Sequence, residues 1–203
     1  MIAVWIVVAV VVLAALAVIA SYNRFVRQRN LVQESWRQVD VELNRRHDLI
    51  PNLVETVKGY ATQERTVLQA VTEARTAAVT AARSTASGVA AQAEAENTLG
   101  RALSGLFAVA ENYPELKSSA NFLALQQQLA ETEDRIAAGR RFYNSNVRAL
   151  NTRVEAFPSS VIASMFNFTK ADYFEVEDPA VRAPVAVDFS SLGAPPQTGQ
   201  APS

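Results

Sequence analysis

The sequence predicts an all-α protein in which an N-terminal transmembrane helix precedes an antiparallel bundle of about four long helices and a disordered C-terminal tail. Three kinds of pattern support this: an uncharged apolar run at the start, long stretches whose apolar residues recur at steps of three and four, and the lack of any useful stretch with strand periodicity. The corresponding segments are 1–22 for the anchor, 23–175 for the bundle and 176–203 for the tail.

The anchor is predicted from the run between Ile2 and Ala20, which carries no charge and matches the roughly 20 residues that cross a hydrocarbon core. Trp5 and Tyr22 would lie about 25 Å apart along a helix, a separation that suits aromatic side chains at the two membrane interfaces. A cleaved signal peptide ending near Ala20 is the alternative. It is disfavoured because no Lys or Arg precedes the run and because the run exceeds the usual apolar region of a signal peptide.

Basic residues then predict the orientation. Arg24, Arg27 and Arg29 follow the span, and no acidic residue occurs before Glu34. By the positive-inside rule, the C-terminal side faces the cytoplasm. For a plasma membrane of bacterial type, we therefore expect a single-pass protein of the cell (inner) membrane, with its N-terminus outside and its bundle in the cytoplasm.

Pro51 marks a predicted boundary between two helices of the bundle. An apolar stripe that ends at Leu43 continues the span as a helix, and Asp48 is placed to be the N-cap of the next one. Pro51 would then lie in a first helical turn, where its missing N–H costs nothing. This predicts a hairpin turn at 44–48, followed by a second helix of about 35 residues. One kinked helix is the alternative; the hairpin is favoured because two apolar stripes need an antiparallel return.

The later helices are predicted at Ala90–Glu111 and from Ser119 to the residues before Pro158, with Tyr113-Pro114 between them. A short helix at Ser159–Phe166 is expected to fold its Ile162, Met165 and Phe166 onto the end of the bundle. Beyond Asp178 the chain is rich in Pro, Ala, Ser and Gly, which predicts disorder.

The residue inventory argues against an enzyme. The chain has no cysteine and one histidine, so cysteine nucleophiles, thiolate metal sites and histidine pairs for zinc are excluded. It contains neither a Glu-x-x-His motif nor a glycine-rich phosphate loop. A net charge of -1 makes nucleic acid an unsuitable partner. We therefore expect no catalytic residues, cofactor, metal site or small-molecule substrate.

Several individual polar residues carry specific predictions. His47 is expected to cap a helix or face solvent, and acidic near pairs such as Glu94 and Glu96 are expected to be solvated. Asn52, Tyr143 and Asn144 interrupt apolar stripes, and we expect them to form a hydrogen-bonded layer that sets helix register.

Two blocks of sequence carry a family resemblance: DLIPNLVETVKGYATQE at 48–64 and YPELKSSANFLALQQQLAETEDRIAAGRRFYNSNVRALN at 113–151, followed by Phe157-Pro158. They resemble the LemA family of bacterial membrane proteins. The resemblance implies an N-terminal anchor and a long-helix bundle without an accepted catalytic set. It also makes membrane shaping or scaffolding an expectation, since one relative is associated with magnetosome membrane formation. Gln63 stands where the family often has histidine and Leu150 where it often has tyrosine, so no role of that histidine carries over.

The predicted function is therefore a membrane-anchored, non-enzymatic scaffold whose bundle binds other membrane proteins or copies of itself. The alternative is a membrane-remodelling or lipid-organising protein that binds anionic headgroups through Arg24, Arg27 and Arg29 and through a second basic trio, Arg45, Arg46 and Lys58.

Overall fold

The computed structural model describes residues 1–84 and 88–175. This part of the chain is helical and contains no β-strand, which confirms the predicted fold class. The helices are α1 (Ile2–Lys58), α2 (Arg65–Arg83), α3 (Gly88–Ala110), α4 (Pro114–Lys117), α5 (Ala120–Glu155) and α6 (Ser159–Met165). The tail predicted at 176–203 lies outside the described residues.

The predicted turn before Pro51 is wrong. α1 is one helix of 57 residues with Pro51 inside it, so Asp48 is a mid-helix residue and not an N-cap. The physical reason is that one buried stripe, including Leu43, Ile50 and Leu53, runs unbroken across the proline. The antiparallel return comes later, at 59–64, and it divides the predicted 35-residue helix into the end of α1 and the separate helix α2.

α1 and α5 form the antiparallel pair on which the fold is built. Their register is visible in side-chain contacts along the pair. Gln28 Nε2 donates to the carbonyl oxygen of Asn146 at 3.1 Å, and the rings of Trp36 and Tyr143 lie 5.1 Å apart. The buried core around this half of α1 comprises Phe25, Val32, Val39, Leu43, Ala93, Ile136, Tyr143, Val147, Leu150, Ala163 and Phe174.

A second core lies around the other end of α1, where α2 and α3 pack beside it. Its largest buried members are Ile50, Leu53, Leu68, Leu99, Leu103, Leu106, Leu116, Phe122 and Leu129. The predicted limits of the third and fourth long helices agree with α3 and α5 to within a few residues. Glu64, at the turn before α2, accepts a hydrogen bond from the Tyr113 hydroxyl at 3.1 Å, so the turn is tied to the segment between α3 and α4.

Gly139 allows a close approach of α5 to α1. A Cβ at this position would lie 3.1 Å from Val39 Cγ2 and 3.9 Å from Val39 Cα. Gly139→Leu is therefore expected to lower the free energy of unfolding by about 1–3 kcal/mol through overpacking, as measured by chemical denaturation of the detergent-solubilised protein. Gly105→Leu is the matched control, because nothing lies within 4 Å of a Cβ built at Gly105. Equal losses from both variants would contradict the close approach.

The first part of α1 makes no contribution to either core. An 18-residue window in it has a mean hydropathy of 3.3, and none of that window is buried in the protein. By length and composition this part of the helix is able to cross a membrane.

Candidate functional site

A buried ionic cluster joins three helices at the middle of the bundle. Arg46 and His47 lie on α1, Glu96 on α3 and Glu133 on α5. The Arg46 guanidinium donates to Glu96 Oε2 and to Glu133 Oε1, the latter at 2.6 Å. His47 Nε2 lies 2.9 Å from Glu96 Oε1. Glu96 is only 1% exposed, so its carboxylate is held almost entirely by these two α1 side chains.

Arg46 and Glu96 are both ionised at neutral pH. Burial alone would raise the pKa of Glu96, but the hydrogen bond from His47 and the charge of Arg46 outweigh burial and lower that pKa. Burial would likewise lower the pKa of Arg46, but the carboxylates of Glu133 and Glu96 outweigh it and raise that pKa. Both oxygens of Glu96 are engaged, and an ionised carboxylate with both oxygens bound is a poor nucleophile or proton donor. The arrangement is suited to fixing α3 against α1.

The lowered pKa of Glu96 predicts loss of stability in acid. Because the folded-state pKa lies below the unfolded value of about 4.3, the stabilisation is fully present above that pH and is lost as pH falls through the folded-state pKa. We expect the free energy of unfolding, measured across a pH series, to fall in this window. Glu96→Gln should flatten the dependence. An equally steep fall in the variant would show that other carboxylates cause it.

The sequence-based expectations for three of these residues are wrong. Arg46, expected to bind anionic headgroups, is buried and paired with Glu96 and Glu133. His47 is buried instead of capping a helix or facing solvent, and Glu96 is buried while its neighbour Glu94 is exposed. Their burial is tolerable because each finds a partner of opposite or complementary chemistry. The sequence did contain a signal for the burial of His47. This residue lies four residues after Leu43 and three before Ile50, on the buried stripe of α1.

Pro51 has a specific role in docking α2. Proline has no N–H, so the carbonyl oxygen of His47, four residues earlier, has no helical donor. Arg75 on α2 donates its Nε–H to this oxygen at 2.7 Å. The proline therefore frees an acceptor on α1, and a charged donor from the neighbouring helix satisfies it.

A third polar arrangement clamps the segment 171–175 along α5. Asn151 Nδ2 donates to the Ala171 carbonyl and Asn151 Oδ1 accepts from the Ala171 N–H, both at 2.9 Å. Asn144 makes the same pair of bonds with Phe174, at 3.1 and 2.9 Å. The two asparagines are about 10 Å apart along the helix, which equals the span of three extended residues. The spacing of the asparagines thus matches an extended chain.

Tyr143 completes this asparagine clamp. Its hydroxyl donates to the Asp172 carbonyl oxygen at 2.8 Å, and Phe174 is fully buried with its ring 5.3 Å from that of Trp36. Burial, with a smaller effect of Asp172, raises the pKa of Tyr143 to about 12. The predicted layer of Tyr143, Asn144 and Asn52 is wrong, because Asn52 is exposed on α1 whereas the other two bind the backbone of 172–174.

Removing one asparagine of the clamp is expected to release this segment without unfolding the bundle. In Asn151→Leu the Ala171 amide loses its acceptor, so we expect faster hydrogen exchange at 171–175 than in the parent chain. Asn121→Leu, at an exposed position near the start of α5, is the control. Unchanged exchange in Asn151→Leu would mean that the apolar contacts of Phe174 hold the segment without the asparagines.

Of the residues predicted for the membrane interface, Trp5 lies near the start of the apolar run and the others follow its end. Trp5 and Tyr22 are exposed, as are Arg24, Arg27 and Arg29. Tyr22 also packs its ring against Phe166, at a centroid separation of 4.9 Å, and the Arg29 guanidinium lies 5.7 Å from the centre of the Phe168 ring. Their contact with lipid stays a prediction.

No group of three or more His, Asp or Glu side chains placed to hold a metal ion occurs in 1–84 or 88–175.

A model of the LemA family matches residues 35–189. The chain belongs to the LemA family. The matched residues include the ionic cluster, Pro51 and the asparagine clamp, so these features all lie within the LemA-homologous part of the chain. The resemblance found in the two sequence blocks is thereby confirmed.

Relatives from several bacteria cover most of the chain. Magnetosome protein MamQ 2 of Paramagnetospirillum magneticum is 28% identical over 199 residues, which cover 86% of this chain and 73% of the relative. Magnetosome protein MamQ of Magnetospirillum gryphiswaldense is 26% identical over 185 residues, covering 81% and 68%. Protein LemA of Metamycoplasma hominis is 23% identical over 156 residues, covering 77% and 69%.

Proposed function

We propose that this LemA-family protein is a membrane-anchored, non-enzymatic scaffold that presents an elongated helical bundle to protein partners or to further copies of itself. The observation that carries the proposal is the continuity of α1. Its 57 residues join an apolar, wholly unburied segment to the cores of the bundle without a break. A helix of this kind holds the bundle at a fixed position relative to the bilayer that takes up its first part.

The polar chemistry of the bundle supports a non-enzymatic role. The ionic cluster uses its charges to bind one another, and the asparagine clamp uses its amides to bind the chain's own backbone. Exposed apolar side chains, by contrast, are available along the bundle at Val41, Leu123 and Phe142. Such residues suit contacts with other proteins.

The scaffold proposal is tested by photo-crosslinking in cells. A photoreactive amino acid placed at Leu123 or Phe142, both exposed on α5, is expected to give crosslinks to the same protein or to other membrane proteins. The same amino acid at Gln127, an exposed polar position on α5, is the control. Two results together would contradict the proposal: a monomer in detergent, and no crosslinked protein in cells from either apolar position.

The arginines after the span support a cytoplasmic bundle. Because the chain has no cysteine, Gln127→Cys gives a single exposed thiol on α5. A membrane-impermeant maleimide is expected to label this thiol only after cell lysis, and the lysed sample of the same cells supplies the reference for full labelling. Labelling of intact cells would place the bundle outside.

A second candidate is organisation or remodelling of the membrane. Exposed Arg24 and Arg27 directly beside the apolar segment favour it, as does similarity to relatives that are magnetosome proteins. Electron microscopy of anionic vesicles carrying the full chain tests this candidate. Tubules or narrowed vesicles are expected if it is correct, and unchanged vesicle shape at high protein coverage would contradict it.

A further inference from the structure

We propose that the corner between α5 and α6 is a second membrane-contacting surface, which inserts apolar side chains into the headgroup boundary of the bilayer that holds α1. This apolar corner comprises Phe157, Val161, Met165 and Phe166. The proposal rests on the membrane anchoring proposed above and adds to it a lipid contact made by the bundle itself.

The four side chains of the apolar corner are large and apolar, yet all of them are exposed. Phe157 is 84% exposed, Val161 53%, Met165 63% and Phe166 43%. Val161 and Met165 are one helical turn apart and share the outward face of α6. The opposite face of this helix is the packed one, since Ala163 is buried and Ile162 is partly buried against the core. The expectation that Met165 folds onto the end of the bundle is therefore wrong, whereas Ile162 does pack there. The corner therefore has an inner side that packs against the core and an apolar outer side that is exposed.

The register of α1 and α5 fixes where the corner lies. Glu133 is level with Arg46, Tyr143 with Trp36, and the Arg153 guanidinium lies 5.9 Å from the centre of the Phe25 ring. Continued towards Glu155, this antiparallel register brings the end of α5 level with Asn23 and Arg24, within one helical turn of Tyr22. α6 starts just beyond that point.

An independent contact gives the same position. The ring of Phe166, at the other end of α6, packs edge-on against Tyr22 with centroids 4.9 Å apart. Both ends of the corner are thus level with Tyr22, two residues after the apolar run ends at Ala20. When that run occupies the hydrocarbon core, Tyr22 lies at headgroup depth and the apolar corner lies at the bilayer surface.

The charges beside the corner fit a lipid surface. Arg24 and Arg27 are exposed on α1, and Lys170, which pairs with Glu155, lies just beyond α6. Apolar side chains flanked by cationic ones are typical of segments that lie in the membrane interface. A bilayer is also the one partner that the position of the corner requires, because the adjacent span must be surrounded by lipid.

Depth-dependent fluorescence quenching tests the proposal. The chain has no cysteine, so Val161→Cys and Met165→Cys each provide one site for an environment-sensitive fluorophore. Both positions are exposed, so the label is not forced into a packed core. Each labelled full-length chain is reconstituted into phosphatidylcholine–phosphatidylglycerol vesicles of two kinds. One contains lipids with a spin label near the headgroup, for the corner labels and the label at 123, and the other contains lipids with a spin label in the acyl chain, for the label at 13. Leu123→Cys, an exposed apolar site on the same bundle, and Leu13→Cys, within the apolar run, are the controls.

We expect the emission of both corner labels to fall at least twofold with spin-labelled lipid, while the label at 123 is unaffected. Corner labels that behave like the label at 123, with quenching retained at 13, would overturn the corner but leave the anchor standing. Absence of quenching at 13 as well would overturn the anchor and the corner together. A blue-shifted corner label that spin-labelled lipid does not quench would indicate a protein partner and would also overturn the proposal.

Discussion

Glu96→Leu is expected to lower the free energy of unfolding by about 3–5 kcal/mol, because it removes one member of a buried ion pair and leaves the other without its partner. Arg46 loses a carboxylate that accepts from its guanidinium, and His47 loses the acceptor of its Nε2–H. Glu133 remains, but its side chain is half exposed and binds only one of the guanidinium nitrogens. The measurement is denaturation of the detergent-solubilised chain, followed by circular dichroism.

Two further variants separate charge burial from loss of packing. Glu94→Leu, at an exposed position on the same helix, should change stability by no more than about 0.5 kcal/mol. Adding Arg46→Met to Glu96→Leu should recover most of the loss, since a complete buried ion pair is often replaceable by apolar residues at little cost. A double variant as unstable as the sum of the two single variants would show that α3 is held by packing around the pair.

Arg75→Met is expected to cost about 1.5–3 kcal/mol, the range for a hydrogen bond with a charged partner. The loss arises because the His47 carbonyl oxygen accepts from Arg75 Nε and has no helical donor at position 51. Arg83→Met, at the exposed end of α2, is the control and should have little effect. Thermal unfolding of the same detergent preparation reports the difference.

Pro51→Ala tests whether the proline and Arg75 act on the same carbonyl oxygen. Alanine restores an N–H to the helix and removes a helix-interior proline, which by itself is worth up to about 3 kcal/mol. In the Arg75→Met background it also gives the orphaned His47 carbonyl a donor, so we expect a larger gain there than in the parent chain. Equal gains in both backgrounds would mean that the proline and Arg75 do not act on the same oxygen.

Helical periodicity is sufficient to predict most of the fold. The limits of α3 and α5 follow from apolar residues at steps of three and four, and the short helix α6 from the residues after Pro158. The error at Pro51 arises because local rules treat proline as a helix boundary. Whether a helix continues past a proline depends on what satisfies the freed carbonyl, and here the donor comes from Arg75, which lies on another helix.

The polar contacts are harder to predict for a related reason. Asn144 stands out in the sequence as a polar residue on an apolar stripe, yet its partner is the backbone of Phe174, which no pattern in the sequence pairs with it. Glu96 looks like any surface glutamate until α3 is placed beside Arg46 and His47. Side-chain chemistry indicates what a residue is able to bind, whereas the partner is set by packing between distant segments.

The absence of a break in α1 has a mechanical consequence. From Tyr22 to Lys58 the helix rises about 55 Å, and it is continuous with the apolar part in front of it. Transmembrane helices commonly tilt by about 20°, and a tilt of that size would displace the far end sideways by about 19 Å. Under the membrane anchoring proposed above, such a rod would act as a lever with its pivot in the lipid. A change in bilayer thickness that alters the tilt would then be magnified at the far end of α1.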